Sequence, residues 1–142
     1  MKITFIAFSL FGCCIIASAL EVSIPNVESL GQNPATLKTS LLTGETNSIH
    51  PSHLELDLND DGTLSEIRAS YEKSVLPEAM KSTLEQQFGL PTKKFTKESG
   101  DYLYIWRNEA KRFAVMYSPK SVEDEKPFVL VHNLGKVPKS KK

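Results

Sequence analysis

The stretch DLNDDGTLSEIR, residues 57–68, is the part of the sequence that most nearly matches a metal-binding motif. An EF-hand calcium loop places oxygen ligands at loop positions 1, 3, 5, 7 and 9, glycine at position 6 and a bidentate acid at position 12. The first half of this pattern is matched by Asp57, Asn59, Asp61 and Gly62. The last position holds Arg68, which puts a positive charge where the bidentate carboxylate should be, and the preceding HLELDLN alternates as a strand does. A turn is therefore favoured over a calcium loop.

A β-hairpin accounts for the same residues. Asp61-Gly62 is a preferred centre for a two-residue type I′ turn. A turn there sets a register in which three pairs face each other: Leu54 with Ala69, Leu56 with Ile67, and Leu58 with Ser65. These pairs share one side with Tyr71. The other side holds the polar residues Glu55, Asp57, Asn59, Glu66, Arg68 and Ser70, with the apolar Leu64 as the one exception. One register thus separates apolar from polar side chains, which predicts a half-buried hairpin.

No arrangement of residues in the sequence indicates catalysis. The three histidines are His50, His53 and His132, and the closely spaced carboxylates are Asp60-Asp61 and Glu123-Asp124-Glu125. Those carboxylates fall in predicted turns open to water, and no serine lies in a strand-turn-helix elbow. We therefore predict a protein that is not an enzyme and that has no cofactor. The alternatives are a metal site built on His50 and His53 with a third ligand, and an unrecognised hydrolase.

Five aromatic residues are the leading candidates for a functional surface: Tyr102, Tyr104, Trp106, Phe113 and Tyr117. The runs YLYIW and RFAVMY predict two strands joined by the loop NEAK, and alternation along them puts all five side chains on one face. The expected register pairs Trp106 with Phe113, Tyr104 with Val115, and Tyr102 with Tyr117.

This aromatic face has two interpretations. It is core if the helix or the N-terminal segment covers it, as is usual for large apolar side chains. Alternatively, it is a partly open surface that binds a peptide, a protein or a glycan. Tyrosine and tryptophan suit such binding because they combine a large contact area with a polar atom.

A helix and a last strand complete the predicted fold. The segment SVLPEAMKSTLEQQFG predicts an amphipathic helix, because apolar residues recur at every fourth position: Leu76, Met80, Leu84 and Phe88. Pro77 suits the first turn of this helix, and Gly89 suits its end. The run FVLVHNL predicts the last strand. We therefore expect an α+β fold with the order ββαβββ, in which one helix packs on an antiparallel sheet of about five strands.

The N-terminus has the pattern of a secretory signal peptide. Lys2 is followed by an apolar run and by Ala17-Ser18-Ala19, which predicts a signal peptide at residues 1–19. The alternative is a lipobox at Leu10-Phe11-Gly12-Cys13, which would anchor the chain by a lipid on Cys13. Simple export to the periplasm or the medium is favoured, and it removes both cysteines. No second apolar run follows, so no integral membrane span is expected in the mature chain.

Composition divides the rest of the chain. Residues 20–50 are rich in Pro, Ser, Thr and Asn and predict an irregular N-terminal arm, whereas residues 51–135 hold the predicted single α+β domain. Residues 136–142 carry four lysines and predict a basic, flexible tail. Residues 20–135 carry 12 basic and 17 acidic side chains, a net charge of −5, which argues against binding to nucleic acid.

Two segments resemble small bacterial envelope domains. The run from the helix through FGLPTKKF to the tryptophan strand, residues 76–117, is similar to the small outer-membrane-assembly lipoproteins and to beta-lactamase-inhibitor proteins. In those, a helix ends at Gly-x-Pro-Thr and a Trp/Tyr strand opens an antiparallel sheet. The hairpin HLELDLNDDGTLSEIRASY, residues 53–71, resembles the strand-turn-strand piece of PepSY domains. The paired disulfides and the second repeat of the inhibitors are absent from this sequence.

The resemblance implies a non-catalytic binding module of the cell envelope. We therefore expect a periplasmic or secreted protein that binds a protein or peptide partner through the aromatic sheet face. The alternative is a small-ligand carrier of the envelope.

Overall fold

The computed structural model describes residues 21–36, 41–43, 48–98 and 101–135. The predicted signal peptide, the alternative lipid attachment at Cys13 and the predicted basic tail all lie outside the described residues. The described residues form one antiparallel sheet and one α-helix, which confirms the α+β class.

Six strands of the described residues form a single sheet, and the helix follows the second of them. The elements are β1 (His53–Leu58), β2 (Leu64–Ser70), α1 (Pro77–Phe88), β3 (Lys93–Thr96), β4 (Tyr102–Asn108), β5 (Phe113–Ser118) and β6 (Phe128–Asn133). The strands lie side by side in the order β1-β2-β6-β5-β4-β3, so β1 and β3 are the two edges.

The expected order ββαβββ lacks one strand, β3. This strand pairs only with β4, and all four of its side chains are exposed. A strand that buries no side chain needs no alternation of apolar and polar residues, and KKFT accordingly gives no strand signal. The order along the chain is therefore ββαββββ.

The β1–β2 hairpin has the expected register except beside its turn. Leu54 pairs with Ala69 and Leu56 with Ile67, as predicted, but Leu58 pairs with Leu64. The predicted pair of Leu58 with Ser65 is therefore wrong, and a bulge absorbs the difference. The turn is also longer than the expected two residues, because the Asn59 N–H donates to the Thr63 carbonyl at 2.7 Å.

Gly62 makes the longer turn possible. Its φ of +82° lies in the left-handed region, which suits the last residue of a three-residue hairpin loop. The Asp61 carboxylate accepts a hydrogen bond from the Thr63 N–H at 3.0 Å, and this local bond favours the turn. Asp61 therefore acts in turn chemistry, as the hairpin interpretation requires.

The β4–β5 hairpin is shifted by two residues from the expected register. Tyr104 pairs with Tyr117, and Trp106 with Val115. The loop is residues 109–112 rather than NEAK, because Asn108 pairs with Phe113 as the last residue of β4. The Asn108 side chain accepts from the Lys111 N–H at 2.9 Å and closes this loop. A shift of two residues leaves every side chain on its expected face, because side chains alternate with a period of two.

The helix and the N-terminal segment together cover one face of the sheet. Met80 and Leu84 of α1 are fully buried, whereas Leu76, which was expected on the same apolar stripe, is 56% exposed just before the helix begins. Val22 and Ile24 of the N-terminal segment are fully buried in the same hydrophobic cluster. The Ser23 N–H donates to the Ile49 carbonyl at 2.8 Å, which ties this segment to the residues just before β1.

Two buried tyrosines differ in whether their hydroxyl groups are satisfied. The Tyr71 hydroxyl donates to the Ser23 carbonyl at 2.6 Å. The Tyr117 hydroxyl is also buried, but none of the described residues forms a hydrogen bond with it. Burial raises the pKa of both phenols well above the ordinary value. A buried hydroxyl without a partner costs free energy, because its desolvation is not offset.

We therefore expect opposite effects from removing the two hydroxyls. Tyr117→Phe should raise the free energy of unfolding by about 1 kcal/mol, because it removes an unsatisfied polar atom. Tyr71→Phe should lower it by about 1–2 kcal/mol, because the Ser23 carbonyl loses its donor. Urea unfolding of the two variants measures both changes, and a loss of stability in Tyr117→Phe would contradict the assignment.

Candidate functional site

The structure brings the five predicted aromatic residues to one face of the sheet, and that face is the covered one. Four are buried, with exposed fractions of 9% for Tyr104, 3% for Trp106, 9% for Phe113 and 1% for Tyr117. Tyr102 is 41% exposed and lies at the start of β4. These four side chains therefore belong to the hydrophobic core and do not form an open binding surface.

Contacts among the aromatic residues hold them in place. The rings of Tyr104 and Tyr117 stack, with centroids 5.9 Å apart and planes 13° apart. The Trp106 Nε1–H donates to the Gly89 carbonyl at 2.8 Å, which joins β4 to the residue that ends α1. The exposed Tyr102 ring lies 3.8 Å from the Lys94 ammonium, a cation–π contact with the edge strand β3.

Part of the aromatic cluster reaches solvent in a groove of about 670 Å³. The groove lies between the end of α1, the short 3-10 turn at Val27–Ser29, and the adjoining ends of β4 and β5. It is lined by Val27, Glu28, Leu30, Gln87, Phe88, Leu90, Thr92, Trp106, Arg107, Asn108, Lys111 and Phe113. Phe88 and Phe113 meet in a tilted contact with centroids 5.9 Å apart, and Leu90 is 82% exposed.

The opposite face of the sheet is a second candidate surface, here called the outer face. Cross-strand pairing places one continuous set of apolar residues on it: Phe95, Leu103, Ile105, Ala114, Met116, Phe128 and Leu130. Most of these side chains are half-buried, and Phe95 is 48% exposed. Among the described residues, no helix or strand packs over the outer face as a second layer.

The outer face changes character at β2. On β1 and β2 it carries Glu55, Asp57, Glu66 and Arg68, and β6 adds His132 opposite Glu66. The Arg68 guanidinium lies 4.2 Å from the centre of the Phe128 ring, at the boundary between the charged and the apolar parts. The outer face therefore consists of an apolar half on β3 to β6 and a charged half on β1 and β2.

Burial and crowding perturb two titratable groups in the charged half. Burial first, and then the nearby Asp57 carboxylate, raises the pKa of Glu66, while Arg68 opposes this rise. Burial and the Arg107 charge lower the pKa of His132, so the neutral imidazole is favoured. The glutamate thus lies among carboxylates that repel its charge.

The described residues contain no group of three or more histidine, cysteine or acidic side chains placed to hold a metal ion. His53 is opposite Ser70 and lies 3.4 Å from the Glu55 carboxylate, whereas His132 is opposite Glu66 at another position along the sheet. His50 is exposed just before β1. No helix within the described residues has the length and apolar character needed to cross a membrane.

The sequence contained a signal for the outer face. Strands of an antiparallel sheet with one solvated face alternate apolar and polar residues, as HLELDL does. The runs YLYIW, FAVM and FVLV carry apolar residues on both faces, which is typical of strands covered on both sides. Alternation thus places a second apolar face opposite the aromatic one, whereas the predicted binding surface was the aromatic face.

Compared with protein-family models, with curated proteins and with solved structures, the chain shows no match. The resemblance to envelope domains therefore remains an expectation from the sequence.

We expect Trp106→Ala to destabilise the protein by about 3–5 kcal/mol, as truncation of a buried large aromatic residue does. Tyr102→Ala, the control at the exposed end of the same strand, should cost less than about 1 kcal/mol. Trp106 is the single tryptophan of the chain, so its emission reports on this position alone and should have a blue maximum with poor quenching by iodide. Emission typical of water-exposed indole would contradict the buried position.

A pH-dependent effect is expected at Glu66. A raised pKa in the folded state means that the folded protein binds this proton more tightly than the unfolded chain does. The stability that it contributes is therefore present at low pH and lost as pH rises through the raised pKa. Glu66→Gln should consequently raise the free energy of unfolding at about pH 7 and change it little at about pH 3.

Chemical denaturation at the two pH values measures this difference. Glu98→Gln, which neutralises an exposed glutamate elsewhere, provides the control. An equal gain in stability at both pH values would contradict an electrostatic origin.

Proposed function

We propose that this chain is a non-catalytic binding module that docks a protein partner on the apolar half of its outer face. The observation that carries the proposal is the set of half-buried apolar side chains on β3 to β6, over which no described helix or strand packs. Soluble proteins rarely leave a contiguous apolar surface of this kind uncovered, and such surfaces mark interaction sites.

The shape and composition of the outer face favour a macromolecule over a small ligand. Small-ligand sites are concave, whereas this surface is the face of a sheet. Its apolar centre has charged residues around it, including Lys93, Lys97 and Arg68. An apolar centre with a polar rim is the usual anatomy of a protein interface, and arginine and aromatic side chains are enriched there.

The same proposal places the protein in the periplasm or outside the cell. Its support is the N-terminal pattern of Lys2, an apolar run and Ala17-Ser18-Ala19. The resemblance to small envelope domains points to the same compartment. The partner is accordingly an exported or envelope protein.

The groove beside Trp106 supports a second candidate function, that of a small-ligand carrier. Its volume of about 670 Å³ lies within the range of small-molecule sites. It combines apolar side chains such as Phe88, Leu90 and Phe113 with the charged Arg107 and Lys111. A ligand with an apolar body and an anionic group would match this lining.

Lysine substitutions on the outer face test the proposed function. Ile105→Lys and Leu130→Lys each put a charge within the apolar half, so both should abolish capture of envelope proteins by the immobilised chain. Both side chains are only half-buried, so the free energy of unfolding of each variant should lie within about 1–2 kcal/mol of that of the parent chain. Pull-down with mass-spectrometric identification measures capture, and thermal melting checks folding.

Two control variants make the result specific. Val122→Lys changes a valine that is 90% exposed in the β5–β6 loop, and it should leave capture intact. Leu90→Lys changes the groove beside Trp106. Loss of partner capture in this variant alone would favour the groove over the outer face as the binding site. Capture that survives both Ile105→Lys and Leu130→Lys in folded protein would refute docking on the outer face.

A further inference from the structure

The two edges of the sheet differ in how they are protected against pairing with another strand. An edge strand presents unpaired N–H and C=O groups, and natural proteins protect it with shortness, lysine or proline. The edge strand β3 spans four residues, Lys93–Thr96, and begins with two lysines. The edge strand β1 spans six residues, His53–Leu58, and contains neither lysine nor proline. By length, lysine and proline β3 is the better protected edge, whereas the charged side chains of β1, Glu55 and Asp57, lie on one face only.

The strand β1 is accessible on both of its faces. Five of its six side chains are exposed, and Leu54 is half-buried. Leu56 and Leu58, which lie on the same face as Leu54, are 39% and 54% exposed. Among the described residues, β1 pairs with β2 on one side and with no strand on the other. Within the part of the chain that the structure describes, an unpaired backbone edge thus lies beside two exposed leucines.

The opposite face of β1 carries negative charge. Glu55 and Asp57 lie on the outer face, directly across from Arg68 and Glu66 of β2. Arg68 is engaged with the Phe128 ring, and the pKa of Glu66 is raised first by burial and then by the nearby Asp57 and Glu55 carboxylates. A strand placed beside β1 would meet leucines on one face and carboxylates on the other.

These charges argue against a second copy of the chain as the occupant. In an antiparallel pair of β1 strands centred on Leu56, the leucines would meet, but Glu55 would lie opposite Asp57 of the other copy. Like charges directly across a strand pair are destabilising. A strand with basic residues at those positions would instead form opposite-charge pairs, which stabilise a sheet.

We propose that the open edge of β1 accepts, by strand addition, an extended segment of a protein partner in which apolar residues alternate with lysine or arginine. The main chain of that segment pairs with the free edge, its apolar side chains contact Leu56 and Leu58, and its basic side chains lie beside Glu55 and Asp57. This inference rests on the proposed function, because it names the chemistry of the partner. The added strand extends the outer face on which that partner docks.

Hydrogen exchange with a defined peptide tests the inference. The probe is a synthetic peptide in which valine and lysine alternate, added to the folded chain. We expect slower amide exchange within residues 53–58, measured by mass spectrometry of proteolytic fragments. A matched peptide in which glutamate replaces lysine should give no protection. A lysine peptide whose backbone nitrogens are N-methylated should also give none, because it has no backbone N–H donors.

A charge-reversed variant supplies the matched control on the protein. Glu55→Lys/Asp57→Lys should weaken binding of the lysine peptide by about tenfold or more, and it should allow the glutamate peptide to bind. Glu98→Lys/Glu109→Lys makes the same change in net charge at exposed positions outside β1, and it should bind as the parent chain does.

Several outcomes would overturn the inference. One is no protection of residues 53–58 at millimolar peptide, and another is equal protection by the lysine and glutamate peptides. A third is protection that grows with protein concentration alone, which would make a second copy of the chain the occupant. The peptide assay does not depend on the apolar half of the outer face. Ile105→Lys should therefore keep peptide protection at β1 even as it loses partner capture, which separates a failure of this inference from a failure of the proposed function.

Discussion

The packing of one short helix on one face of a wide sheet is the constraint on which the rest of the structure depends. The helix α1 has 12 residues and is therefore about 18 Å long and about 10 Å wide. Six strands at about 4.8 Å spacing make a sheet about 24 Å across. One helix cannot cover such a face, so the N-terminal segment fills the remainder with Val22 and Ile24. Both covering elements lie on the same face, which leaves the outer face and the edge β1 without cover from them.

Alternation in the sequence predicts which residues share a face, but it does not predict which face is covered. It correctly paired Leu54 with Ala69 and Leu56 with Ile67, and it grouped five aromatic residues on one side of β4 and β5. The β1–β2 register failed beside its turn, and the β4–β5 register was shifted by two residues throughout. In both turns a side-chain oxygen, of Asp61 or of Asn108, accepts a backbone N–H and favours the loop length observed. The burial of Trp106 depends on α1 and the Gly89 carbonyl, which lie elsewhere in the chain and leave no local pattern.

The outer face differs from the burial of Trp106, because its apolar and charged halves can be read from the residue pattern of the strands themselves. The strands β1 and β2 alternate, so their outer side chains are charged and need no partner. The strands β4, β5 and β6 are apolar on both faces, although the helix covers only one of them. The half-buried apolar side chains at these positions have no covering layer among the described residues, and this is the observation on which the proposed docking surface rests.

In the proposed complex, the apolar half of the outer face and the open edge of β1 would depend on each other energetically. A segment that is ordered on binding loses about 1–2 kcal/mol of backbone entropy per residue. Each backbone hydrogen bond to β1 returns a net of only about 0.5–1.5 kcal/mol, and exposed ion pairs add less. Strand addition alone therefore gives direction and register but little affinity. Burial of Ile105, Met116 and Leu130 under the body of the same partner contributes free energy in proportion to the apolar area removed from water, at about 25 cal/mol per Å². In the proposed complex, the acidic edge would select the segment and the apolar face would hold the partner, so the two together would form a more complete binding surface than either alone.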